Sequence, residues 1–462
     1  MDFYGRTKEI AELSHFFDMD SFSVALIYGR RRVGKSELIK HVLMQSKLKK
    51  VYYECKQTSD ADNAASFSEI WSEFLDVPGI RFDRMEAALD AVFKFAIDTP
   101  LILAIDEYSY LRSVSSGIDS VLQRLIDRYK NSSKLKLILC GSVVDIMKGL
   151  LYKDNPLYGR INTTIYLEPM DYYDSSMFYP GFSNEDKVRI FSVFGGIPYY
   201  NSLIDDKLSV RENLINLLVR QGAQLENEVE YYLSSEISKF NNANEVFLAL
   251  AKGFSRFGDI LSQSHVTSSP ALADVLKKLV KIGVVKKVAP INDENNKKKT
   301  GYYVDDPLTA FYYRYIYPYP SQRSIMSPDD FYERYIDEDY ETQFVPSAFE
   351  EICKQFLICI NKIGKTAIPF FKIGKYYYDD PVRKINGEFD VVTQDDNGFI
   401  FYEAKFKSSP IDDKVVNEEI EQLKLSGVDC YKYGFFSRSG FRVEPRDDLI
   451  LIDLDEIYGT LS

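Results

Sequence analysis

The segment from Gly29 to Ser36 holds the residues near the start of the chain whose types and spacing best suit chemistry on a phosphate. Its glycines allow a tight turn in which consecutive N–H groups face phosphate oxygens, its lysine can reach the outer phosphates, and its serine hydroxyl can reach Mg²⁺. The apolar run Val24 to Tyr28 precedes it and a helix-like stretch, Glu37 to Met44, follows, as a phosphate loop requires. The alternative is a strand-to-helix turn with a chance Gly-Lys-Ser. The predicted nucleotide-binding residues are Gly29, Arg30, Arg31, Arg32, Val33, Gly34, Lys35 and Ser36.

Two acidic residues, Asp106 and Glu107, directly follow the apolar run Leu101 to Ile105. Such a run is typical of a buried parallel strand, and ligand chemistry in open α/β sheets takes place at the carboxyl ends of these strands. Asp106 would hold Mg²⁺, and Glu107 would polarise the water that attacks the γ-phosphate of ATP. Acidic pairs often merely end strands or cap helices. Combined with the phosphate loop, this pair predicts hydrolysis of a nucleoside triphosphate.

The elements that must position these residues alternate between strand and helix over residues 1–170. Five strands are predicted there, at Val24 to Tyr28, Val51 to Cys55, Leu101 to Ile105, Leu135 to Cys140 and Thr163 to Leu167. Five strands with helices between them indicate a parallel, doubly wound α/β sheet.

Two further polar residues lie near the ends of these strands. Ser142 follows the fourth strand, where it could sense the γ-phosphate or orient the attacking water, or could simply cap the helix from Val143 to Met147. Arg160 precedes the fifth strand and is either an arginine finger that reaches the nucleotide of a neighbouring subunit or a surface arginine. The finger interpretation implies a homo-oligomer.

These motifs resemble those of the archaeal-type P-loop ATPases, which are related to the AAA+ and signal-transduction (STAND) ATPases. The resemblance rests on Phe3 to Arg6 with Glu9, on Ile27 to Ser36, on Ala104 to Glu107, on Tyr158 to Arg160 and on Gly195 to Pro198. It implies that ATP and Mg²⁺ are the cofactors. It also implies that Tyr4 and Arg6 lie on the nucleotide side of the site, against the adenine.

Beyond the sheet the sequence pattern becomes helical. Apolar positions recur at three- and four-residue spacing in Arg211 to Leu218 and in Leu225 to Ile237, so residues 171–240 resemble a helical lid over the nucleotide. Residues 241–320 predict three helices, the third with Ser269 as its N-cap, and then a β-hairpin. Three helices and a hairpin make a winged helix-turn-helix.

Local charge indicates a ligand for this winged helix-turn-helix. The net charge of −12 argues against a protein that coats nucleic acid with its whole surface, but residues 241–305 contain ten Lys or Arg against six Asp or Glu. Phosphate contacts are predicted for Lys277, Lys278 and Lys281 on the recognition helix and for Lys297 to Lys299 on the wing. The partner would be DNA. The alternative is a protein-docking or hinge module.

The last segment, residues 321–462, carries a second group of residues suited to chemistry. Asp390 lies in one predicted strand, and Glu403 and Lys405 share a face of the next strand. Upstream, Glu350 lies at the start of an amphipathic helix. Two carboxylates and a lysine on one side of a hairpin can gather a divalent cation beside a phosphodiester.

The turn between the two strands leaves their pairing open. A turn centred on Asn397-Gly398 pairs Asp390 with Lys405, whereas one centred on Asp396-Asn397 pairs Asp390 with Glu403. Both choices put the three side chains on the same side of the hairpin.

An acid followed by acid-x-lysine on paired strands, with a helical glutamate upstream, resembles the PD-(D/E)xK nuclease core, although the proline of that name is absent. The resemblance implies a restriction-endonuclease-like α/β domain in which Asp390 and Glu403 hold Mg²⁺, Lys405 orients the nucleophile or neutralises charge, and Glu350 completes the metal shell. Chance charge alternation on a solvated hairpin is one alternative. A capping box, Ser347-x-x-Glu350, would explain the glutamate without a metal.

Length and composition frame these assignments. The 462 residues suggest about three domains, and no apolar run approaches the roughly 18 residues of a membrane span. The absence of a signal-peptide pattern favours the cytoplasm, and five cysteines without C-x-x-C spacing and three histidines predict neither disulfides nor a zinc site.

The expected fold class is α/β, with a P-loop parallel-sheet ATPase domain, a helical lid, a winged helix-turn-helix and a C-terminal restriction-endonuclease-like domain. The expected function is ATP hydrolysis coupled to DNA binding and Mg²⁺-dependent phosphodiester cleavage. The alternative is an ATP-driven signalling switch or scaffold whose nuclease-like domain is inactive and docks a protein or DNA partner.

Overall fold

The computed structural model describes residues 3–237, 242–296, 298–380 and 385–459, and the chain divides into two units. The first unit contains residues 1–170 and 197–199, and the second contains residues 171–196 and 200–462. Within the described ranges, no helix combines the length and the apolar composition that a membrane crossing needs.

A five-stranded parallel sheet forms the centre of the first unit, with the strand order β2-β3-β4-β1-β5. The strands are β1 (Ser23–Tyr28), β2 (Lys49–Glu54), β3 (Leu101–Asp106), β4 (Leu135–Gly141) and β5 (Thr163–Tyr166). Strands β1, β3 and β4 are buried along their whole length, because parallel strands covered on both faces need apolar side chains on both sides. The predicted parallel sheet is confirmed.

Helices cover both faces of this sheet. They are α1 (Thr7–Asp18), α2 (Lys35–Gln45), α3 (Asp60–Leu75), α4 (Met85–Asp98), α5 (Tyr108–Val114), α6 (Ile118–Tyr129) and α7 (Val144–Lys148), with a 3₁₀ turn at Gly149–Leu151. Successive strand side chains point to opposite faces, so Val24 and Leu26 join one apolar cluster while Ala25 and Ile27 join another. The two clusters fix the sheet whose carboxyl edge carries the predicted site residues.

After β5 the chain continues as a series of helices. They are α8 (Tyr172–Ser176), α9 (Asn184–Phe194), α10 (Pro198–Asn201), α11 (Val210–Leu214) and α12 (Glu228–Ile237), with a π-helical segment at Ile215–Val219. The helix predicted from Leu225 begins only at Glu228.

Three helices and an antiparallel hairpin follow, in the predicted order. They are α13 (Ala243–Ala251), α14 (Phe257–Gln263), α15 (Ser269–Lys281), β6 (Val285–Val288) and β7 (Gly301–Val304). The predicted N-cap of α15 is wrong by one position. Ser268 is the cap, because its side chain accepts a hydrogen bond from the backbone N–H of Ala271, and Ser269 already belongs to the helix.

A further helical stretch leads to the last sheet. It contains α16 (Pro307–Phe311), α17 (Pro320–Ile325), α18 (Pro328–Tyr332) and α19 (Val345–Lys362), with π-helical segments at Tyr312–Ile316, Glu333–Asp337 and Tyr340–Phe344. Helix α19 continues from the helical residue Phe344, so Ser347 lies inside the helix. The capping-box explanation of Glu350 is therefore wrong.

A mixed five-stranded sheet, in the order β14-β12-β10-β9-β8, completes the second unit. The elements are β8 (Lys372–Asp380), β9 (Ile385–Asp395), β10 (Gly398–Lys405), β11 (Ile411–Asp412), α20 (Asp413–Leu425), β12 (Lys432–Ser437), β13 (Phe441–Arg442), β14 (Leu449–Asp453) and α21 (Leu454–Gly459). Strands β8, β9 and β10 are antiparallel neighbours, whereas β12 and β14 add in parallel, and β11 and β13 form a separate small pair.

The register of β9 and β10 resolves the open turn. Gly398 pairs with Asp395, so the two-residue turn is Asp396-Asn397. Tyr402 pairs with Val391, which puts the next residues along the two strands, Glu403 and Asp390, opposite each other.

Candidate functional site

The phosphate loop connects β1 to α2, and its backbone depends on glycine. A side-chain carbon at Gly29 would lie 2.3 Å from the carbonyl oxygen of Leu167, which no other residue type could accommodate without a backbone shift. Gly34 adopts a left-handed φ of 94° as the residue that precedes α2. Arg32 also has a positive φ, 66°, and its guanidinium lies 4.3 Å from the centre of the Tyr199 ring.

Lys35 is the buried cation of this loop. Its side chain is 4% exposed, and its Nζ donates hydrogen bonds of 2.9 Å to the carbonyl oxygens of Gly29 and Arg30. Burial lowers the pKa of the Lys35 ammonium, and the nearby charges of Glu107 and Asp106 oppose that effect only in part. A buried ammonium at a helix N-terminus whose hydrogen bonds, within the part of the chain that the structure describes, go to carbonyl oxygens fits an anionic ligand such as a triphosphate.

Asp106 ends strand β3 as a buried carboxylate that accepts several hydrogen bonds. Its Oδ2 accepts from the Ser36 hydroxyl at 2.5 Å and from the Tyr52 hydroxyl at 2.6 Å. Burial alone would raise the pKa of Asp106, but hydrogen bonds from Cys140, Ser36 and Tyr52 hold that pKa below its usual range. The group therefore stays ionised, as a ligand of Mg²⁺ must be.

Glu107 follows in a left-handed conformation, with a φ of 49°. One oxygen, Oε1, accepts a hydrogen bond of 2.7 Å from the Ser142 hydroxyl, so the structure brings these two predicted residues together. The other oxygen, Oε2, is buried and has no hydrogen-bond partner among the described residues. A buried carboxylate oxygen without a hydrogen-bond partner among the described residues is suited to position a water molecule.

Tyr52 is a member of this site that sequence reasoning missed. It lies two residues before the end of β2, and β2 is the direct neighbour of β3. Burial and the Asp106 carboxylate both raise the pKa of the Tyr52 phenol, so it remains a hydrogen-bond donor. A hydroxyl near the end of a predicted strand is the signal in the sequence, but it identifies the residue only once the strand order is known.

The remaining predicted residues of the first unit have other contacts. Buried Arg6 donates to the carbonyl oxygen of Val33 at 3.1 Å, so it supports the phosphate loop from behind, while Tyr4 is half-buried. Arg31 donates to the Tyr110 hydroxyl at 3.1 Å. Arg160 makes two hydrogen bonds, of 3.1 and 2.8 Å, with the Asp127 carboxylate of its own chain.

A second cluster lies in the last sheet and combines the predicted acids. Burial raises the pKa of Glu350, on α19, to about 8, and the negative charge of Asp390 adds to this effect. Burial also raises the pKa of Glu403, against the opposing influence of Lys405. The structure thus brings Glu350, Asp390, Glu403 and Lys405 into one electrostatic neighbourhood.

Lysines neutralise the acids of this cluster. Lys405 donates to Glu403 and to Glu419, both at 2.7 Å, and Lys375 pairs with Asp390 and with Glu388. Within the described parts of the chain, no three acidic, His or Cys side chains come together in a group that could hold a metal ion. Lys375 and Glu419 were not predicted, because β8 shows no alternation that marks it as a strand and Glu419 lies on a helix far along the chain.

The predicted DNA-contacting lysines have mixed surroundings. Lys277 and Lys281 are exposed on α15, and Lys278 pairs with Asp274 at 2.6 Å. The Nζ of Lys299 lies 4.5 Å from the centre of the Tyr377 ring on β8 and 3.5 Å from Asp293, and its contact with phosphate stays a prediction. Lys297 lies outside the described residues.

A parallel sheet with a phosphate loop after β1 and an acidic pair at the end of β3 defines a P-loop ATPase. In agreement, the family described as an ATPase domain predominantly from Archaea matches residues 3–203. A second family, described as archaeal and bacterial proteins of unknown function, matches residues 312–421.

Relatives of known sequence and structure agree with this class. The chain is 30% identical over 463 residues to the uncharacterized protein MJECL04 of Methanocaldococcus jannaschii, an alignment that covers 98% of this chain and 99% of that protein. The chain therefore belongs to the family of MJECL04, and its ATPase domain is of the archaeal type.

Two further matches are partial. An uncharacterized ATP-binding protein of the same organism, MJ0147, is 23% identical over 289 residues, which cover 50% of this chain and 76% of that protein. The Walker-type ATPase PABY2304 of Pyrococcus abyssi superposes with a TM-score of 0.51 at 19% identity and covers 68% of this chain and 96% of its own. The latter likeness shows the fold alone.

Proposed function

We propose that this ATPase couples ATP hydrolysis to DNA binding and to Mg²⁺-dependent cleavage of phosphodiester bonds. The observation that carries the proposal is the register of β9 and β10, which sets Glu403 opposite Asp390 with Lys405 on the same face. The helix, three antiparallel strands, helix and parallel strand of this region resemble the core of the PD-(D/E)xK nucleases. Half-buried Glu350 comes from the helix that precedes the strands, as that resemblance implies.

In the ATPase unit, the roles follow from the contacts already described. Ser36 and Asp106 would hold Mg²⁺, Lys35 would neutralise the phosphates, and Glu107 would orient the attacking water while Ser142 fixes its carboxylate. Arg160 would act as a finger on a neighbouring subunit only after leaving Asp127. That role requires a homo-oligomer.

In the nuclease-like site, Asp390 and Glu403 would hold Mg²⁺ and Glu350 would complete its shell, but only after Lys375 leaves Asp390 and Lys405 leaves Glu403, since in the described residues these acids do not form a group that could hold a metal ion. The ion would polarise the scissile phosphate and lower the pKa of bound water. Lys405 would then stabilise the charge that develops on the phosphate or orient the nucleophile. Its second partner, Glu419, keeps the ammonium in place when Glu403 turns towards a cation.

DNA binding is assigned to α13, α14, α15 and the β6–β7 hairpin, taken as a winged helix-turn-helix. Lys277, Lys278 and Lys281 lie on α15, the candidate recognition helix, and two of them are exposed. Lysines at such positions neutralise backbone phosphates and release counterions.

Fluorescence anisotropy with a labelled duplex tests the DNA assignment. Changing Lys277 and Lys281 together to Ala should weaken binding and reduce the slope of log Kd against log salt by about 2, since each lost phosphate contact removes about one unit. Lys130→Ala, an exposed lysine of the ATPase unit, is the control. An unchanged slope in the double variant would remove α15 from the interface.

The nuclease assignment is tested with supercoiled plasmid and the full chain. We expect nicked and linear products with Mg²⁺ or Mn²⁺ and none with EDTA. The alternative function, an ATP-driven switch whose last domain only docks a partner, predicts ATP hydrolysis but no nicking under any divalent cation. Steeply salt-dependent DNA binding without nicking would mean an inactive domain that holds DNA.

A further inference from the structure

The wing segment, defined as residues 285–296 and 298–304, packs against β8, the edge strand of the last sheet. The backbone N–H of Ile291 donates to the carbonyl oxygen of Lys375 at 2.8 Å. The Asn292 side chain donates to the carbonyl oxygen of Tyr377 at 2.7 Å and accepts from the Tyr377 N–H at 3.2 Å. These bonds satisfy backbone groups that an edge strand otherwise leaves open to pairing.

Side chains reinforce this packing. Ile291 is buried in an apolar cluster with Val392 and Phe401, and it fits against the flat surface of Gly374. Three ion pairs join the sheet and α19 to the wing segment and the helices before it: Arg256 with Glu388, Lys286 with Glu351 at 3.4 Å, and Lys372 with Glu294 at 2.7 Å. Partly exposed pairs of this kind each contribute little to stability.

The wing segment borders the acidic cluster. A cavity of about 390 Å³ has Lys286, Tyr302 and Tyr303 of the wing segment on its walls, together with Glu350, Lys375 and Asp390. The Nζ of Lys375 lies 5.1 Å from the centre of the Tyr303 ring and pairs with Asp390. The ammonium therefore sits between the wing segment and the carboxylate that is predicted to hold a cation.

We propose that the wing segment is an intramolecular latch that closes the acidic site by holding Lys375 on Asp390. In the open state the wing segment leaves β8, Lys375 loses its contact with Tyr303 and leaves Asp390, and the partly exposed Asp390 carboxylate can then bind a divalent cation beside a phosphodiester. The inference concerns regulation of the site and rests on the proposed function. It also gives the hairpin a role inside the chain that excludes simultaneous use as a free DNA-binding wing.

The test compares the full chain with two opening variants, Asn292→Ala and Gly374→Ala. A methyl group at Gly374 would lie 2.8 Å from Cγ2 of Ile291 and push the latch away. Asn295→Ala, at an exposed position of the same segment, is the matched control. Arg256→Gln opens the latch by a route outside the apolar cluster, should either opening variant fail to fold.

Two measurements without nucleotide report on the latch. Hydrogen–deuterium exchange in residues 372–378 should rise in the opening variants and stay unchanged in the control. Mn²⁺ affinity should rise about tenfold, as expected where the closed state holds about 90% of the population, and adding Asp390→Asn should remove the increase.

Faster exchange with unchanged Mn²⁺ affinity would overturn the proposal, as would equally slow exchange in all variants. Higher Mn²⁺ affinity without plasmid nicking supports the latch and removes the nuclease function instead. Higher affinity with faster nicking supports both.

Discussion

Glu107→Gln should lower the rate of ATP hydrolysis by about 100-fold or more and leave ATP binding nearly unchanged, because a positioned base contributes a factor of that size. The amide keeps the shape of the side chain and can still accept the hydrogen bond from Ser142. It removes the negative charge from the buried oxygen that has no partner among the described residues, and that oxygen is the group placed to polarise water.

Phosphate release under saturating ATP and a fluorescent-nucleotide titration separate the two effects. The matched control is Glu54→Gln, the same change at the exposed end of the neighbouring strand β2, and it should hydrolyse ATP at the wild-type rate. If Glu107→Gln binds ATP as poorly as it hydrolyses it, then the residue supports the fold of the loop and is not the group that acts on water.

Much of the first unit could be predicted because three of its five strands, β1, β3 and β4, are buried on both faces. Continuous apolar runs such as Leu101 to Ile105 identify the strand positions, and glycine-rich and acidic segments mark their carboxyl ends. The contact between Tyr52 and Asp106 could not be predicted in the same way. It depends on β2 being the neighbour of β3, and a sequence does not state the order of strands in a sheet.

In the second unit, less of the candidate site could be predicted from the sequence. The period of two along β10 correctly placed Glu403 and Lys405 on one face, but the pairing with β9 needed the position of the turn. Lys375 was missed because its strand, β8, is rich in tyrosine on both faces and lacks the alternation of a half-buried strand. The packing of the wing segment on β8 brings residues about 85 positions apart into contact, and no local sequence pattern predicts such a contact.

The ion pair of Arg160 shows a similar limit of prediction from sequence for charged residues. Arg160 was predicted to be a finger or a surface residue, and in the structure its guanidinium pairs with Asp127 at a partly exposed site. Such a pair contributes little to stability, so it does not prevent a second use of the arginine. A sequence identifies the charge, whereas the partner follows only from the packing of α6 against the loop before β5.

Asp390→Asn and Glu403→Gln should each reduce metal-dependent nicking to the level seen with EDTA while ATP hydrolysis continues at the wild-type rate. Each change removes one of the two carboxylates that are predicted to gather the cation. The fold should survive, because Lys375 keeps Glu388 and Lys405 keeps Glu419 as partners. Neither half-buried lysine is therefore left without a counter-charge, the loss of which would destabilise the fold.

Asp396→Asn is the matched control, since it makes the same change in the exposed turn of the same hairpin. Plasmid nicking, ATP hydrolysis and the thermal midpoint are measured on all three variants. Nicking that persists in both site variants with a normal midpoint would show that cleavage does not occur at these acids, and loss of nicking in Asp396→Asn would show that the hairpin, and not its carboxylates, is what the reaction needs. Only loss confined to Asp390 and Glu403 assigns the chemistry to the face that β9 and β10 create together.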